Sequence, residues 1–271
     1  MEKITANVYV ENKISWCNSS CVVTKEGVVI IDTPMVPAYA KQHAAEVGKF
    51  GEVRYVINTE PHGDHISGDC YFGGALVTHE GTRDAILASK VEDFKAMLQR
   101  TTPDIEIDKD FKYRSPDITL NDRMTLYLGD HTFHLMHMPG HTPFQVAVYV
   151  PEERTIFTSD NVTRVIPFFH QCVPDAWLKT LKQLEKLDVD HVVPGHGDVG
   201  DKSCIKEMQN TVNTWLNTIK DAIAKGMTKE EAQNTITMKK EFPNLPRDER
   251  NIGVIKMNVT RLYEILTKQG G

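Results

Sequence analysis

The patterning of this 271-residue chain predicts an α+β protein, a sandwich of two β-sheets packed face to face with helices outside. Two observations lead there. Period-two alternation gives way to helical spacing twice along the chain, with the junction near residues 101–120. Strand candidates such as VRYVINT (53–59) and QVAVYV (145–150) are too apolar for a sheet with one solvated face.

In chain order, ANVYVEN (6–12) and SCVVTKEGVVIIDT (20–33) read as strands, with a hairpin turn at Lys25-Glu26-Gly27. Residues 34–49 carry apolar side chains at helical spacing and stop near Gly48 and Gly51. VRYVINT is the next strand, ALVTH (75–79) another, and 80–100 a mostly polar helix before a connecting loop. A second strand-rich stretch follows: RMTLYLG (123–129), TFHLMHM (132–138), QVAVYV and RTIFTS (154–159). Helices are expected over 177–187, 202–225 and 253–268, with HVVP (191–194) a strand between the first two. Thr228 and Glu231 have the spacing of a capping box. No residue-level repeat accompanies this pattern, so residues 1–271 read as one domain, its core over about 4–200 and its C-terminal helices over 202–268.

Composition narrows the function. With 40% hydrophobic and 25% charged residues the chain is of ordinary globular type. Thirty-one Lys and Arg stand against 37 Asp and Glu, a net charge of −6 without a basic block, which disfavours nucleic acid and anionic membrane as partners. The N-terminus lacks the apolar core of a signal peptide and no run reaches the roughly 18 apolar residues of a membrane span, so a cytoplasmic location is expected. Five scattered cysteines are an odd number and read as reduced thiols.

The chemistry concentrates in Asn58-Thr59-Glu60-Pro61-His62-Gly63-Asp64-His65, directly after a buried strand. Four potential metal ligands, Glu60, His62, Asp64 and His65, fall within six residues, on a segment that Pro61 and Gly63 turn sharply. Imidazole and carboxylate suit zinc, iron and manganese. Three further strand ends each deliver one such residue beside a glycine or a turn: His141 in Pro-Gly-His-Thr, Asp160 in Ser-Asp-Asn, and His196 in Pro-Gly-His-Gly. Structural need alone does not produce four such ends.

This constellation resembles the metallo-β-lactamase fold superfamily of metal-dependent hydrolases over roughly residues 20–200. The superfamily's HxHxDH, followed by a His, an Asp and a last His, is matched by Glu60-x-His62-x-Asp64-His65, His141, Asp160 and His196. The resemblance implies an αββα sandwich of two mixed sheets and two divalent metal ions, zinc before manganese or iron. It implies one metal at Glu60, His62 and His141, another at Asp64, His65 and His196, and Asp160 bridging them. Glu60 departs from the pattern, standing where the superfamily usually has His, and a carboxylate there shifts preference toward manganese or iron. It could also hold a metal-bound water instead. Asp64 is implied to be catalytic by orienting a metal-bound hydroxide, and Asp32 resembles an acid that orients a ligand histidine. Asp at 160 is similar to glyoxalase-like thioesterases, lactonases and phosphodiesterases rather than to lactamases, which commonly use Cys or Ser.

Other residues have plainer readings. His131, His134 and His137 alternate across a strand and cannot converge. His43, His79, His170 and His191 are singletons, for each of which a surface or core place is the plainer reading. Phe168, Phe169 and His170 follow Asp160 closely and are candidates for contact with an apolar acyl or aryl group, with a place in the core as the alternative. The acidic stretch 104–110 reads as a solvated loop. The function expected is hydrolysis of an ester, thioester, lactone or amide of a small molecule. Alternatives are an iron-dependent dioxygenase on the same fold, a β-lactamase-like amide hydrolase, a phosphodiesterase, or a catalytically dead binding protein.

Overall fold

The computed structural model describes residues 1–13, 16–102, 105, 107–109 and 111–268. Of the acidic loop expected over 104–110, Asp104, Glu106 and Asp110 lie outside the described residues; Asp108 binds the Lys41 ammonium at 2.7 Å and the Tyr71 hydroxyl at 2.6 Å.

Among the described residues the strands form two mixed sheets. The first runs in chain order through β1 (Glu2–Lys3), β2 (Val8–Glu11), β3 (Ser19–Thr24), β4 (Gly27–Ile31), β5 (Val53–Ile57), β6 (Ala75–His79) and β7 (Ile118–Leu120). Its pairs are antiparallel up to β4 and parallel from β4 onward. The second contains β8 (Arg123–Leu128), β9 (His131–His137), β10 (Val146–Val150), β11 (Thr155–Ser159) and β12 (His191–Pro194), ordered β12-β11-β10-β9-β8. Only β11 and β12 are parallel in it.

Alternation along the strands sorts side chains into three layers of core. Val8, Val10, Val22, Val29, Ile31, Ile57 and Val77 of the first sheet meet Phe133, Leu135, Val146, Val148, Phe157 and Val193 of the second. Each fully buried Leu or Phe there contributes roughly 1.5–3 kcal/mol. The opposite face of the first sheet, with Cys21, Val28, Ile30 and Val56, is covered by Ala40 and Val47 of α1 (Pro37–Val47). After the short α2 (Gly63–Ile66) come α3 (Glu80–Ala88), α4 (Val91–Thr101) and α5 (Pro174–Leu184), then α6 (Ser203–Ala224), α7 (Lys229–Thr235) and α8 (Glu249–Lys268). Trp177 and Leu181 of α5, Trp215 of α6 and Val259 of α8 cover the outer face of the second sheet around Ala147, Ile156 and Val192. The layers are therefore helix, sheet, sheet, helix.

Two elements differ from the patterning. The helix expected over 80–100 is two helices, because Ser89 takes an extended backbone (φ −70°, ψ 138°) and its hydroxyl donates back to the Ala85 carbonyl at 2.9 Å. The break lets Phe94 and Leu98 of α4 pack on Met35, Val36 and Phe111. The strand expected over 53–59 stops at Ile57, since Thr59 turns to bind Asp32. The short β1 and β7 were below the length that alternation can mark. The Thr228–Glu231 capping box is present at the start of α7. All five cysteines are free, and no helix among the described residues is long and apolar enough to cross a membrane.

Asp69 ties together the loops after β4 and β5, its Oδ1 accepting from Thr33 Oγ1 at 2.8 Å and Asn58 Nδ2 at 3.0 Å. Burial pushes this carboxyl up to about 7, against the pull of those two donors. The native state thus keeps a proton that the unfolded chain releases near pH 4. That stabilisation is full below about pH 4 and lost as pH rises through about 7. Asp69→Asn mimics the protonated form, so unfolding free energies from denaturant melts should shift in the variant's favour by up to about 1.4 kcal/mol per pH unit from pH 5 to 7 and level off toward pH 8. A constant difference between the two proteins would mean that Asp69 is ionised throughout.

Candidate metal centre

Each candidate ligand follows the end of a strand, at one rim of the sandwich. Asp32, just past β4, sits at φ 56°, and its backbone N–H donates to the Ile57 carbonyl at 2.9 Å. Its Oδ1 accepts from the Thr59 N–H at 2.8 Å, and its Oδ2 from the Thr59 hydroxyl at 2.6 Å. The same Oδ2 lies 2.9 Å from His65 Nδ1. One carboxylate thereby fixes the turn carrying Glu60 and leaves Nε2 of His65 facing inward.

The second sheet supplies the rest. Ser159 ends β11 in the left-handed region (φ 47°) and turns Asp160 inward. A Cβ on Gly195 would stand 1.8 Å from Asp160 Oδ1 and 2.8 Å from its backbone N, so only glycine lets the two loops meet. Asn161 Oδ1 accepts from the His141 N–H at 3.0 Å while its Nδ2 donates to the Met138 carbonyl at 2.6 Å. Asn18, which the sequence did not single out, joins the sheets by donating from Nδ2 to the carbonyls of Pro194 (2.9 Å) and Gly197 (2.7 Å).

The seven candidates converge. Ligand atoms of Glu60, His62 and His141 lie within 4.8 Å of one another, as do those of Asp64, His65 and His196. A third trio within the same limit joins Glu60, His65 and Asp160. Glu60 Oε2 is 2.5 Å from His62 Nδ1 and 3.7 Å from His141 Nε2, and Glu60 Oε1 is 3.5 Å from His65 Nε2. Asp160 stands between the two groups, 3.5 Å from His65, 3.6 Å from His141 and 3.3 Å from His196.

Residues 15–196, well over half of the chain, match the Metallo-beta-lactamase superfamily. The chain belongs to that superfamily. The metallo-beta-lactamase type 2 of Elizabethkingia meningoseptica is 24% identical over 232 residues, covering 79% of this chain and 85% of that protein. A metallo-beta-lactamase from Pontibacter korlensis superposes with a TM-score of 0.62 at 21% identity, over 78% of this chain and 97% of that one. A double mutant of the sec-alkyl sulfatase PisA1 aligns with a TM-score of 0.75 at 13% identity, over 97% of this chain and 49% of its own length. At such identities the solved structures share the fold.

In this member of the metallo-beta-lactamase superfamily the cluster balances its own charge. Burial opposes ionisation of Glu60, but the imidazoles of His62, His65 and His141 overcome it and hold the carboxyl at about 2. Burial is likewise overcome at Asp64, by His65 and His196, and at Asp160, by His196, His65 and His141, so both carboxyls fall below their ordinary range. In return Asp160 and Asp64 raise His196 to about 10 despite its burial. Glu60 leads the anions that raise His62 and His65 in the same way. His141 is the exception, since burial prevails and lowers it.

These side chains fit a bound cation. His65 Nε2 and Asp160 Oδ1, 3.5 Å apart within the cluster, are buried without a hydrogen-bond partner among the described residues, as expected of groups placed to ligate a cation. Imidazoles with carboxylates are the donor set of zinc, iron and manganese.

Above the cluster opens a cavity of about 310 Å³ with Trp16, Met35, Met97 and Phe168 in its walls. His170 also lines it, its ring 4.7 Å from that of His62. Burial, and then the neighbouring His62 and His141, push His170 down to about 4, so it lies against His62 as a neutral ring tilted by 33°. Phe169 is elsewhere: fully buried, 5.2 Å from Trp177 and 5.5 Å from Trp215, it belongs to the outer core and not to the cavity. His131, His134 and His137 keep separate partners, His131 between Asp130 and Glu153, His134 beside Thr125, and His137 at the Pro143 carbonyl.

If Asp32 orients His65, Asp32→Asn should leave the fold intact, since Asn tolerates the left-handed backbone. Affinity for zinc, measured by chelator competition, should then fall about 10- to 100-fold. Unchanged affinity would mean that His65 holds its orientation without Asp32.

Proposed function

We propose that this protein hydrolyses an ester, thioester, lactone or amide bond of a small molecule with the help of two divalent metal ions. The observation that carries the reading is the meeting of two ligand trios and Asp160 beneath a partly apolar cavity. Glu60, His62 and His141 would hold one ion, Asp64, His65 and His196 the other, with Asp160 between them; zinc is the first candidate, manganese or iron the alternatives. Bound there, divalent ions polarise a scissile carbonyl and acidify water.

The chain's own side chains do the rest. Asp64 is the most accessible carboxylate of the set, with a side chain 26% exposed and Oδ2 3.4 Å from His196 Nε2. Kept ionised by its histidine neighbours, it accepts a hydrogen bond from the attacking water and so orients it. Asp32 positions His65, and Trp16, Met35, Met97 and Phe168 exclude water from the apolar part of the substrate. The free thiols fit a reducing, cytoplasmic setting.

One observation favours a second reading. Glu60 with His62 and His141 makes a two-histidine, one-carboxylate set, the donor type of non-haem iron oxygenases. Iron retained after anaerobic purification, with oxygen consumed in the presence of a thiol substrate, would favour it.

The hydrolase reading is tested by assaying metal-reconstituted protein against esters, thioesters, lactones, phosphodiesters and β-lactams. Asp64→Asn should lower turnover on the best substrate at least about 100-fold while the protein stays folded. Turnover near that of the wild type at full metal content would remove Asp64 from the chemistry.

A further inference from the structure

Beside His196 lies a second recess, of about 430 Å³, with Lys13, Trp16, Asn18 and Arg250 among its walls. Among the described residues no acidic side chain lines it, although the chain as a whole carries a net charge of −6. Arg250 and His196 line both this recess and the cavity over the metal centre, so the two spaces adjoin. Arg250 is the sole Lys or Arg in the wall of the metal cavity among the described residues.

Two carboxylates near Arg250 have other partners: Glu207 lies 3.7 Å from Arg164, and Asp248 accepts from the Asn251 N–H at 2.8 Å. Glu241 lines a separate cavity with Arg250, and Asp64 and Asp160 line the metal cavity with it. The Arg250 guanidinium carbon stands 5.7 Å from the Trp16 ring centroid, which steadies its planar fork without neutralising it. An arginine so placed is suited to a carboxylate, sulfonate or phosphate taken by two parallel hydrogen bonds. Lys13 adds a second positive charge to the wall.

We propose that the substrate bears a fixed negative charge remote from the scissile bond, bound by Arg250 and Lys13 while the bond to be cut lies over the metal centre. This names the substrate class for the site and rests on the hydrolase reading. Arg250 is thus a specificity residue, and its removal should act on binding of one class of substrate.

The test uses metal-loaded full-length protein, a neutral aryl ester, the same ester carrying a carboxylate, and benzenesulfonate as an inert anion. In Arg250→Gln the preference in kcat/KM for the charged over the neutral ester should fall at least tenfold, mostly through KM. Lys13→Gln should lower it less, and Arg250→Lys should recover part of it. Benzenesulfonate affinity, measured by calorimetry, should fall in step and weaken with salt. An unchanged preference, equal benzenesulfonate affinity in wild type and Arg250→Gln, or no saturable binding to the wild type overturns the proposal. If the wild type cleaves neither ester, the hydrolase reading suffers, and benzenesulfonate binding alone still decides whether the recess holds an anion.

Discussion

Three carboxylates and four imidazoles within a few ångströms of one another stay together only if a rigid frame opposes the burial of their charge. Here the frame is a set of hydrogen bonds made to backbone at strand ends. Asp32 holds the turn after β5 through Thr59 and aims His65, Asn161 ties the loop after β9, which carries His141, to the end of β11, and the bare Cα of Gly195 lets Asp160 approach His196. Asn18 then ties the loop after β12 to the first sheet. None of these four residues is a candidate ligand, yet the geometry of all seven candidates depends on them.

The same frame explains the sandwich. Ligands come from both sheets, so the site exists only if the sheets stay in fixed relation, and the apolar layer of Val29, Ile57, Phe133 and Phe157 between them supplies that constraint. Helices on the outer faces seal β-strands apolar on both sides, and α8 also brings Arg250 to the rim of the cavity. Packing and site are thus one arrangement.

The candidate ligands were legible in the sequence because each lies just past an apolar strand run, on a segment turned by a glycine or a proline or, for Asp160, directly at the strand end, signals that are local. The two-sheet architecture was legible for the same reason, since period-two runs and their apolar faces are properties of short segments. What stayed hidden depends on tertiary contact. Phe169 sits one residue from a cavity-lining side chain on either side, and only the packing of Trp177 and Trp215 assigns it to the core. Trp16, Met35 and Met97 join one cavity wall from three distant segments, and the break at Ser89 follows from where α4 must pack. The third trio of Glu60, His65 and Asp160 could not be read from spacing, because it crosses between the two ligand sets that the superfamily pattern separates.

That trio makes Glu60 the pivotal residue: it touches both sets, and it is where this chain leaves its superfamily's usual motif. Anomalous diffraction from crystals of protein purified without chelator, recorded at the zinc, iron and manganese edges, reads its role directly. The account predicts one metal peak within about 2.2 Å of a Glu60 carboxylate oxygen and of His62 and His141 nitrogens, and a second among Asp64, His65 and His196, with Asp160 between them. A peak bound by the histidines with Glu60 beyond coordinating distance, or no peak at either trio, would contradict it.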